Sequence, residues 1–531
     1  MAQLNKASYQ LIALSKLLTN NLSAVLICDG VGVGKTIAAG YILAYLTTKL
    51  RTPALVVCPP SLPDKWRIEL KSKFNMSASC VRSYEELDLT VDHWNNPSDD
   101  SRVYILPSSL LLSKRHFQFA GPIVFDEIHN FRNPKTISWA AAYRLAETSP
   151  YRIGLSATPI NNGTGDLAAE LAILLNLDIH TAGAVVDDVW RPGRQHLAYP
   201  LMTRFAKDRL GIHFAKRVVH DVRIGVSERY RNSVIEVIKG IRERPQNEAV
   251  YRDEITYFRL ASSSSRAFRR STGAVLDGEF PKAAELAKVL ASHFDEHVIV
   301  FCEFEETAIE LQELVEARPS FLITGSVPAF SRQGILAQFQ QSSNGVLVMT
   351  SVGAEGIDLQ FCSTLVNYDL TWNPMILEQR IGRIDRIGQA KSEISIYNFI
   401  VEGSIDERIV STLGRKLGLV SGSILEPSAV LSHGSRQEGS LFNESAIEEE
   451  LAHAEELARA IALTSAIIPD DYALLPCLDS DYCDSAAIRS AAKNFAALPW
   501  IRDYQRMGVS FDQLANGGSS LKKVIAQYQL G

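Results

Sequence analysis

The feature that most constrains this chain is an apolar run that ends in two adjacent carboxylates. Ile123, Val124 and Phe125 are followed directly by Asp126 and Glu127. Buried parallel strands have such continuous apolar runs, and the residues after one of them can supply a metal ligand and a water-orienting base to a bound nucleotide. The run therefore predicts a parallel α/β sheet with nucleotide chemistry at the end of this strand.

A predicted phosphate-binding loop lies upstream of that run. Residues 24–28 have the composition of a β-strand, and Gly32, Gly34, Lys35 and Thr36 lead from it into a segment of helical composition. Backbone N–H groups at the N-terminus of such a helix bind phosphate, and the glycines let the backbone approach a bulky anion. Lys35 is predicted to reach the β- and γ-phosphates, and the Thr36 hydroxyl to bind Mg²⁺.

The two carboxylates complete this predicted site. Asp126 is the predicted protein carboxylate that binds Mg²⁺, and Glu127 is the predicted base that orients the attacking water. His129 is predicted to be a positioned group rather than a metal ligand, because no other histidine stands at helical ligand spacing. Asp29 occupies the place where the generic loop has its first glycine. The combination predicts a nucleoside-triphosphate motor.

Length and composition limit the remaining possibilities. With 531 residues, 46% of them hydrophobic and 21% charged, the chain is expected to form several globular domains rather than one core. No apolar stretch approaches the roughly 20 residues of a membrane span, and the N-terminus lacks a basic segment followed by an apolar one. These features predict a cytoplasmic protein without a membrane partner.

Cysteine content and charge are less specific. The seven cysteines show neither zinc-site spacing nor an even disulfide set, so they are predicted to be reduced core residues. The net charge of -6 argues against general coating of nucleic acid, but a locally basic cleft is compatible with an acidic surface. Charge therefore neither supports nor excludes a nucleic-acid partner.

Short β-type runs alternate with helical patterns in two parts of the chain, which predicts a doubly wound parallel sheet in each. Between them the sequence reads as mostly helical, and the serine tract 262–265 is expected to belong to a flexible connection. The predicted domains are an N-terminal lobe, a helical insertion and connection, a C-terminal lobe and a mostly helical C-terminal region, at residues 1–165, 166–280, 281–424 and 425–531.

The order of motifs resembles that of superfamily-two helicases, and in particular their Swi/Snf-type branch of double-strand translocases. The similar segments run from Tyr9-Gln10, ahead of the phosphate-binding loop, to a glutamine- and arginine-rich run in the second lobe. The others are Val57 to Leu62 with Trp66, Leu106 to Leu110, Asp126 to Lys135, Leu155 to Ile160, Thr350 to Leu359, Trp372 to Pro374, and Gln379 to Gln389.

This resemblance implies two RecA-like lobes that bind ATP and Mg²⁺. It also assigns roles to individual residues. The implied nucleotide-binding residues beyond the loop are Gln10, Asp358 and Gln379, and the implied nucleic-acid contacts are Ser61, Ser108, Thr350 and Trp372. Such contacts follow the phosphate backbone and are largely insensitive to base sequence. Duplex DNA is the expected track, and RNA stays open as an alternative.

Two arginines are predicted to act from the second lobe. Arg383 and Arg386 are spaced so that two guanidinium groups one helical turn apart can reach a γ-phosphate between the lobes. They are the predicted arginine fingers, which together with Lys35 and the acidic pair form the catalytic set. Eukaryotic remodellers usually carry His where Asp385 stands. The sequence around Asp385 is more similar to that of bacterial members such as the RNA-polymerase-recycling ATPase.

The leading hypothesis is an ATPase, stimulated by nucleic acid, that tracks along duplex DNA without separating its strands and displaces or remodels bound protein. One alternative is the motor subunit of a bacterial anti-phage or restriction-like complex, with residues 425–531 docking a partner protein. A conventional helicase is another. A non-hydrolysing nucleotide switch is disfavoured because Lys35, Glu127, Arg383 and Arg386 are all present.

Overall fold

A computed structural model gives the fold of most of the chain up to residue 410. The residues that it describes are 10, 12–19, 22–92, 94, 103–112, 118–157, 164–189, 201–205, 214–242, 254–278, 280–315, 317–351, 357–386 and 388–410. They form two compact units, one that ends by residue 212 and one that begins at residue 213. We call these units the first lobe and the second lobe.

The first lobe is built on a sheet of seven parallel strands. They are β1 (Ala24–Ile27), β2 (Ala54–Cys58), β3 (Ala78–Cys80), β4 (Val103–Pro107), β5 (Ile123–Asp126), β6 (Arg152–Leu155) and β7 (Met202–Thr203). Their order in the sheet is β3-β4-β2-β5-β6-β1-β7. The central strands are buried along their whole length, as the continuous apolar runs predict.

Helices of the first lobe cover both faces of this sheet. They are α1 (Ile12–Thr19), α2 (Lys35–Leu50), α3 (Pro63–Phe74), α4 (Tyr84–Val91), α5 (Ile137–Glu147), α6 (Thr164–Leu175) and α7 (Ile179–Val189), with 3₁₀ helices at Ser108–Leu112 and Ile128–Phe131. One apolar cluster contains Leu43 and Trp66 from α2 and α3, and the other contains Leu145 and Leu171 from α5 and α6. Successive side chains of each strand point into one cluster or the other.

The second lobe has a parallel sheet of six strands. They are β8 (Lys216–Ile224), β9 (Val298–Cys302), β10 (Ser320–Ile323), β11 (Val346–Thr350), β12 (Thr364–Asn367) and β13 (Glu393–Val401), in the order β10-β11-β9-β12-β13-β8. Its helices are α8 (Glu228–Arg242), α9 (Glu254–Ser263), α10 (Ser265–Thr272), α11 (Lys282–Ser292), α12 (Glu305–Leu314), α13 (Ala329–Gln341) and α14 (Pro374–Ile381). The predicted fold class of two parallel-sheet lobes is confirmed.

The predicted helical insertion is only partly helical. Within residues 166–280, β7 joins the edge of the first sheet and β8 joins the edge of the second. The expectation missed β8 because this edge strand has charged residues at Lys216, Arg217, Asp221 and Arg223 and is only partly buried, so it lacks an apolar run. The four predicted domain boundaries stay predictions, and residues 425–531 lie outside the described residues.

The serine tract is ordered, contrary to the expectation of a flexible connection. Ser264 caps α10 by accepting a hydrogen bond from the Ala267 N–H at 3.0 Å. Ser263 is buried and donates to Asp369 Oδ2 at 2.7 Å. Hydroxyls at a helix N-terminus satisfy backbone donors that would otherwise lack partners, and this explains why a polar tract lies inside the lobe.

Two predictions from composition bear on the described residues. All five cysteines among them are free, and four of the five are buried, in agreement with reduced core residues. No single helix among the described residues is long and apolar enough to cross a membrane, and α6 with α7 passes that test only as a bent pair.

A buried ammonium group connects several elements of the second lobe. Lys282, at the start of α11, is fully buried and donates to Ser262 O at 2.7 Å and to Asp369 Oδ1 at 3.0 Å. Asp406 Oδ2 lies 3.7 Å from the same nitrogen. The Lys282 ammonium also lies 4.6 Å from the ring centroid of Tyr368. A buried charge of this kind is tolerated because it is paired and hydrogen-bonded.

We expect Lys282→Met to destabilise the second lobe strongly. The substitution keeps the volume but leaves the carboxylates of Asp369 and Asp406 buried without their cation, which costs about 3–5 kcal/mol. Denaturant unfolding monitored by circular dichroism measures the loss. Lys288→Met is the matched control on the same helix, because Lys288 is exposed and its pair with Glu285 contributes little. Equal stability of the two variants would contradict this account of the Lys282 cluster.

Candidate active site

The candidate site of the first lobe lies where three neighbouring strands end. In the sheet register Leu155 of β6 is paired with Ile27 of β1 on one side and with Asp126 of β5 on the other. The phosphate-binding loop follows β1, the acidic pair ends β5, and Ser156 follows β6. Because parallel strands share one direction, all these residues stand at the same edge of the sheet.

The phosphate-binding loop has the backbone shape that its glycines allow. Gly32 and Gly34 have φ angles of 82° and 95°, in the left-handed region. Gly34 is the N-cap of α2, and no side chain caps the helix there, so its first N–H groups face the loop. Lys35 Nζ donates to Asp29 O at 3.1 Å and to Gly30 O at 3.4 Å, so the ammonium group is folded back across the loop.

Gln10 lies against this loop. Its side-chain amide donates to Val33 O at 3.4 Å. A Cβ atom at Gly34 would stand 2.5 Å from Gln10 Nε2, which shows how closely this side chain approaches the loop, and the φ angle of 95° favours glycine at this position. The predicted nucleotide-binding glutamine and the predicted phosphate-binding loop are therefore brought together.

The unusual Asp29 has a structural partner at the sheet edge. Its buried carboxylate accepts hydrogen bonds from Thr203 Oγ1 and from the Phe205 N–H, both at 3.2 Å. Residues 202–205 are thus tied to the start of the phosphate-binding loop. The sequence motif alone gave no sign of this contact, since the partners are more than 170 residues apart.

Asp126 is a buried carboxylate held at both oxygens. Oδ1 accepts from the Glu127 N–H at 3.0 Å, and Oδ2 accepts from Trp66 Nε1 at 2.8 Å. Burial, together with the nearby Glu127 charge, raises the pKa of Asp126 to about 7. A cation beside this carboxylate would lower the pKa of Asp126 again, against the effects of burial and of the Glu127 charge. The carboxylate would then be ionised, as a magnesium ligand has to be.

The donor set suits a metal ion that arrives with a nucleotide. No group of three or more His, Cys, Asp or Glu side chains among the described residues could hold a metal ion by itself. Mg²⁺ is commonly bound through one or two protein ligands and substrate phosphates, with waters retained. Thr36 at the start of α2 and Asp126 at the end of β5 provide a hydroxyl and a carboxylate at the same sheet edge.

Glu127 is held in a strained backbone conformation beside His129. Its φ of 49° is in the left-handed region, which is uncommon for a residue other than glycine. Glu127 Oε2 lies 3.4 Å from His129 Nδ1, and that nitrogen lies 3.2 Å from Ser156 Oγ. Burial lowers the pKa of His129. A chain of contacts therefore joins the predicted base to the loop after β6.

Trp66 follows the similar segment from Val57 to Leu62 and lies inside the first lobe. Its side chain is only 1% exposed, and its indole N–H donates to Asp126. Sequence reasoning missed this contact because it joins residues 60 positions apart on separate elements. In the first lobe, Trp66 is a positioning residue for the predicted magnesium ligand.

The second lobe brings together three of the predicted residues. Arg386 Nη1 lies 3.7 Å from Asp358 Oδ1, and the Leu359 N–H donates to Arg383 O at 3.1 Å. Gln379 is on α14, which ends at Ile381. Arg383 and Arg386 both follow the last residue of the helix, and their predicted spacing of one helical turn stays a prediction. The Gly382 N–H still donates to Glu378 O at 2.8 Å and the Asp385 N–H to Ile381 O at 2.9 Å, so the backbone after Ile381 stays bonded to the helix.

The predicted nucleic-acid residues stand at the carboxyl ends of strands. Ser61 follows β2 and Ser108 follows β4, and these strands are neighbours whose last residues, Cys58 and Pro107, are paired. Ser61 Oγ has no hydrogen-bond partner within the part of the chain that the structure describes. In the second lobe, Thr350 ends β11 and is buried.

Trp372 lies between β12 and α14 and is partly buried. Several parts of the motifs lie outside the described residues, including residue 387. The others are Tyr9, the coupling segment from Thr158 to Ile160, and residues 352–356.

Two protein families match this chain. The SNF2-related domain matches residues 9–194, and the helicase conserved C-terminal domain matches residues 281–388. The chain is 27% identical over 487 residues to the uncharacterized ATP-dependent helicase YqhH of Bacillus subtilis (strain 168), covering 83% of this chain and 85% of that protein. It is 26% identical over 441 residues to the RNA polymerase-associated protein RapA of Klebsiella pneumoniae (strain 342), covering 69% of this chain and 44% of that protein.

The chain spans only about half the length of the RapA relatives that it matches. A solved structure, the Sulfolobus solfataricus SWI2/SNF2 ATPase core in complex with dsDNA, is 18% identical with a TM-score of 0.36, and the match covers 82% of this chain and 98% of that one.

The two parallel-sheet lobes and the phosphate-binding loop beside an acidic pair define the class of helicase-like ATPases. The chain contains an SNF2-related domain followed by a helicase conserved C-terminal domain. It is an ATP hydrolase.

We expect Lys35→Ala and Glu127→Gln to stop ATP turnover for different reasons. Loss of Lys35 removes the grip on the phosphates, whereas Glu127→Gln removes the predicted base and should leave ATP bound. Loss of a general base typically lowers the rate by about 10²–10⁴-fold. Steady-state hydrolysis and equilibrium nucleotide titration separate the two effects. Lys49→Ala, an exposed lysine of the same helix, is the control. Turnover near wild type in either site variant would refute the assignment.

We expect Trp66→Phe to weaken magnesium-dependent nucleotide binding by about tenfold or more, because a hydrogen bond to a charged group contributes about 1.5–3 kcal/mol. Titration calorimetry with and without Mg²⁺ measures this, and binding in excess chelator should change little. Trp139→Phe is the matched control, since Trp139 donates its indole N–H to the carbonyl of Ala169 at 3.1 Å. An equal loss with and without Mg²⁺ would mean that Trp66 acts only through packing.

Proposed function

We propose that this ATPase tracks along duplex DNA without separating its strands and displaces or remodels protein bound there. The observation that carries the proposal is the pairing of β2 with β4, which brings Ser61 and Ser108 to the same sheet edge as the phosphate-binding loop. Hydroxyls and backbone N–H groups at such an edge suit contacts to a phosphate backbone, which position a protein without reading base sequence.

The motor would be driven by ATP and Mg²⁺. Thr36 and Asp126 would hold the metal ion, which neutralises charge on the phosphates when it is bound. Lys35 would grip the phosphates and Glu127 would orient the water. Gln10 would contact the base, as its position against the loop at Val33 supports.

The second lobe would complete the reaction. Arg383 and Arg386 would act as arginine fingers on charge that develops in the transition state, and Asp358 and Gln379 would contact the nucleotide. Thr350 and Trp372 would contact nucleic acid. Repeated nucleotide-dependent closure of such a site would move a strand that both lobes grip.

The relatives named above bear on the partners. RapA is named as RNA polymerase-associated, so a transcription complex on DNA is a reasonable obstacle to test. Residues 425–531 are proposed to dock a protein partner, and a role as motor of a bacterial defence complex is the alternative. The name of YqhH, an ATP-dependent helicase, keeps strand separation as a second candidate. A cytoplasmic location is part of the proposal and rests on the sequence.

We expect ATP-dependent displacement of a third strand from a DNA triplex, with the underlying duplex left intact. A translocase that passes along the duplex strips the third strand from the major groove, whereas a helicase separates the duplex itself. Duplex DNA should also stimulate hydrolysis with little sequence preference. This stimulation should fall steeply with salt, because phosphate contacts release counterions.

The control for this experiment is Glu127→Gln, which should bind DNA but displace nothing. Ser61→Ala with Ser108→Ala should reduce stimulation by DNA while leaving basal hydrolysis unchanged. Unwinding of a tailed duplex without triplex displacement would favour the helicase alternative. Absence of stimulation by any nucleic acid at low salt would indicate a motor activated by a protein partner.

A further inference from the structure

One guanidinium group in the second lobe donates hydrogen bonds to two carboxylates. Arg217, on the edge strand β8, donates from Nη1 and Nη2 to the two oxygens of Glu378, at 2.7 and 2.6 Å. Its Nε donates to Asp385 Oδ2 at 2.8 Å. The two carboxylate side chains are 8% and 2% exposed. We call Arg217, Glu378 and Asp385 the Arg217 clasp.

The clasp joins three separate pieces of chain. Glu378 is on α14, next to Gln379, whereas Asp385 lies beyond the end of that helix at Ile381. Asp385 stands between the two predicted arginine fingers, Arg383 and Arg386. One side chain on the edge strand therefore holds both the helix and the turn that carries the arginines.

The turn also has contacts besides the clasp, such as the hydrogen bonds from Gln389 Nε2 to Ile384 O and to Cys362 O, both at 2.9 Å. Arg386 Nε donates to Gly382 O at 2.8 Å, within the turn itself, and its distance to Asp358 is 3.7 Å. The backbone of the turn is bonded to the end of α14, because the N–H groups of Ile384 and Asp385 both donate to Ile381 O, at 3.0 and 2.9 Å. The clasp adds side-chain contacts to this backbone support. A buried, forked arginine contact to carboxylates has specific geometry that a flexible ammonium cannot reproduce.

Two other ion pairs on the same strand are much more exposed than the clasp. Lys216 pairs with Glu393, and Arg223 pairs with Glu407, with side chains that are 73% and 56% exposed in the first pair and 39% and 31% in the second. Exposed pairs of this kind contribute little to structure. The clasp differs from them in burial and in its number of hydrogen bonds.

We propose that Arg217 is a positioning residue for hydrolysis, which holds Asp385 and thereby sets the placement of Arg383 and Arg386. The proposal rests on the proposed role of these two arginines as fingers. It accounts for the aspartate at position 385, because an acidic side chain there is the partner of Arg217.

Asp385→Asn is the main test. It leaves the two-fold contact between Arg217 and Glu378, so β8 and α14 stay joined, but it removes the charge that holds the turn. We expect turnover to fall by about 10–100-fold, as small misplacements of reacting groups do, while the affinity for ATP changes less than about twofold. Arg217→Lys should act in the same direction. Arg223→Gln on the same strand should change neither quantity.

Combination with the arginine variants separates positioning from general damage. Single-turnover hydrolysis is compared for Arg383→Ala with Arg386→Ala, with and without Asp385→Asn, and thermal unfolding is recorded for each. If the clasp acts through the arginines, Asp385→Asn adds no loss once they are removed. An equal loss in both backgrounds, or wild-type turnover for Asp385→Asn alone, overturns the clasp. Wild-type turnover after loss of both arginines instead overturns the proposed fingers themselves, and with them this role.

Discussion

The candidate active site depends above all on the parallel register of three strands in the first lobe. Leu155 on β6 is paired with Ile27 on one side and Asp126 on the other. A shift of one residue in either pairing would turn alternate side chains to the opposite face of the sheet. Since the strands are buried on both faces, such a shift would bury the wrong side chains. Core packing thus fixes where the phosphate-binding loop and the acidic pair meet.

Three buried charged groups then determine finer positions, and each of these three has a partner from a distant part of the chain. Asp126 accepts from Trp66, Asp29 accepts from residues 203 and 205, and Lys282 donates to Asp369. A buried polar group without a partner costs stability, so these contacts constrain the elements that supply them. The buried charge with which the acidic pair can act on a nucleotide thus also requires specific partners in the surrounding structure.

The sequence predicted the parts of the fold that have strong local patterns. Strands such as Ala54–Cys58 and Val346–Thr350 coincide with short β-type runs, whose alternation with helical patterns predicted a parallel sheet in each lobe. The edge strand β8 was missed, because solvent on its exposed side permits charged residues such as Arg217 and removes the apolar signal. The short strand β7, with only two residues, left no pattern to detect.

The same division applies to the candidate site. The motifs predicted the glycine loop, because the residues that bind phosphate there are close together in the sequence. It did not predict Trp66 at Asp126 or Arg217 at Asp385, because these contacts join residues 60 and 168 positions apart. One sequence has no signal for such pairs. Motifs therefore indicate which groups do the chemistry, and the folded structure is needed to find the residues that position them.

The two lobes also differ in the partners that their candidate phosphate-binding side chains have in this structure. In the first lobe Lys35 Nζ donates to two backbone carbonyls of its own loop, which a phosphate can replace. In the second lobe Arg386 already has a carboxylate near it, Asp358, at 3.7 Å. Under the proposed function, phosphate must compete with that carboxylate for the arginine. A ligand shifts such an equilibrium only by its differential affinity for the two arrangements. Arg386 would thus bind a nucleotide that carries its full charge, and it would return to Asp358 once that charge has left.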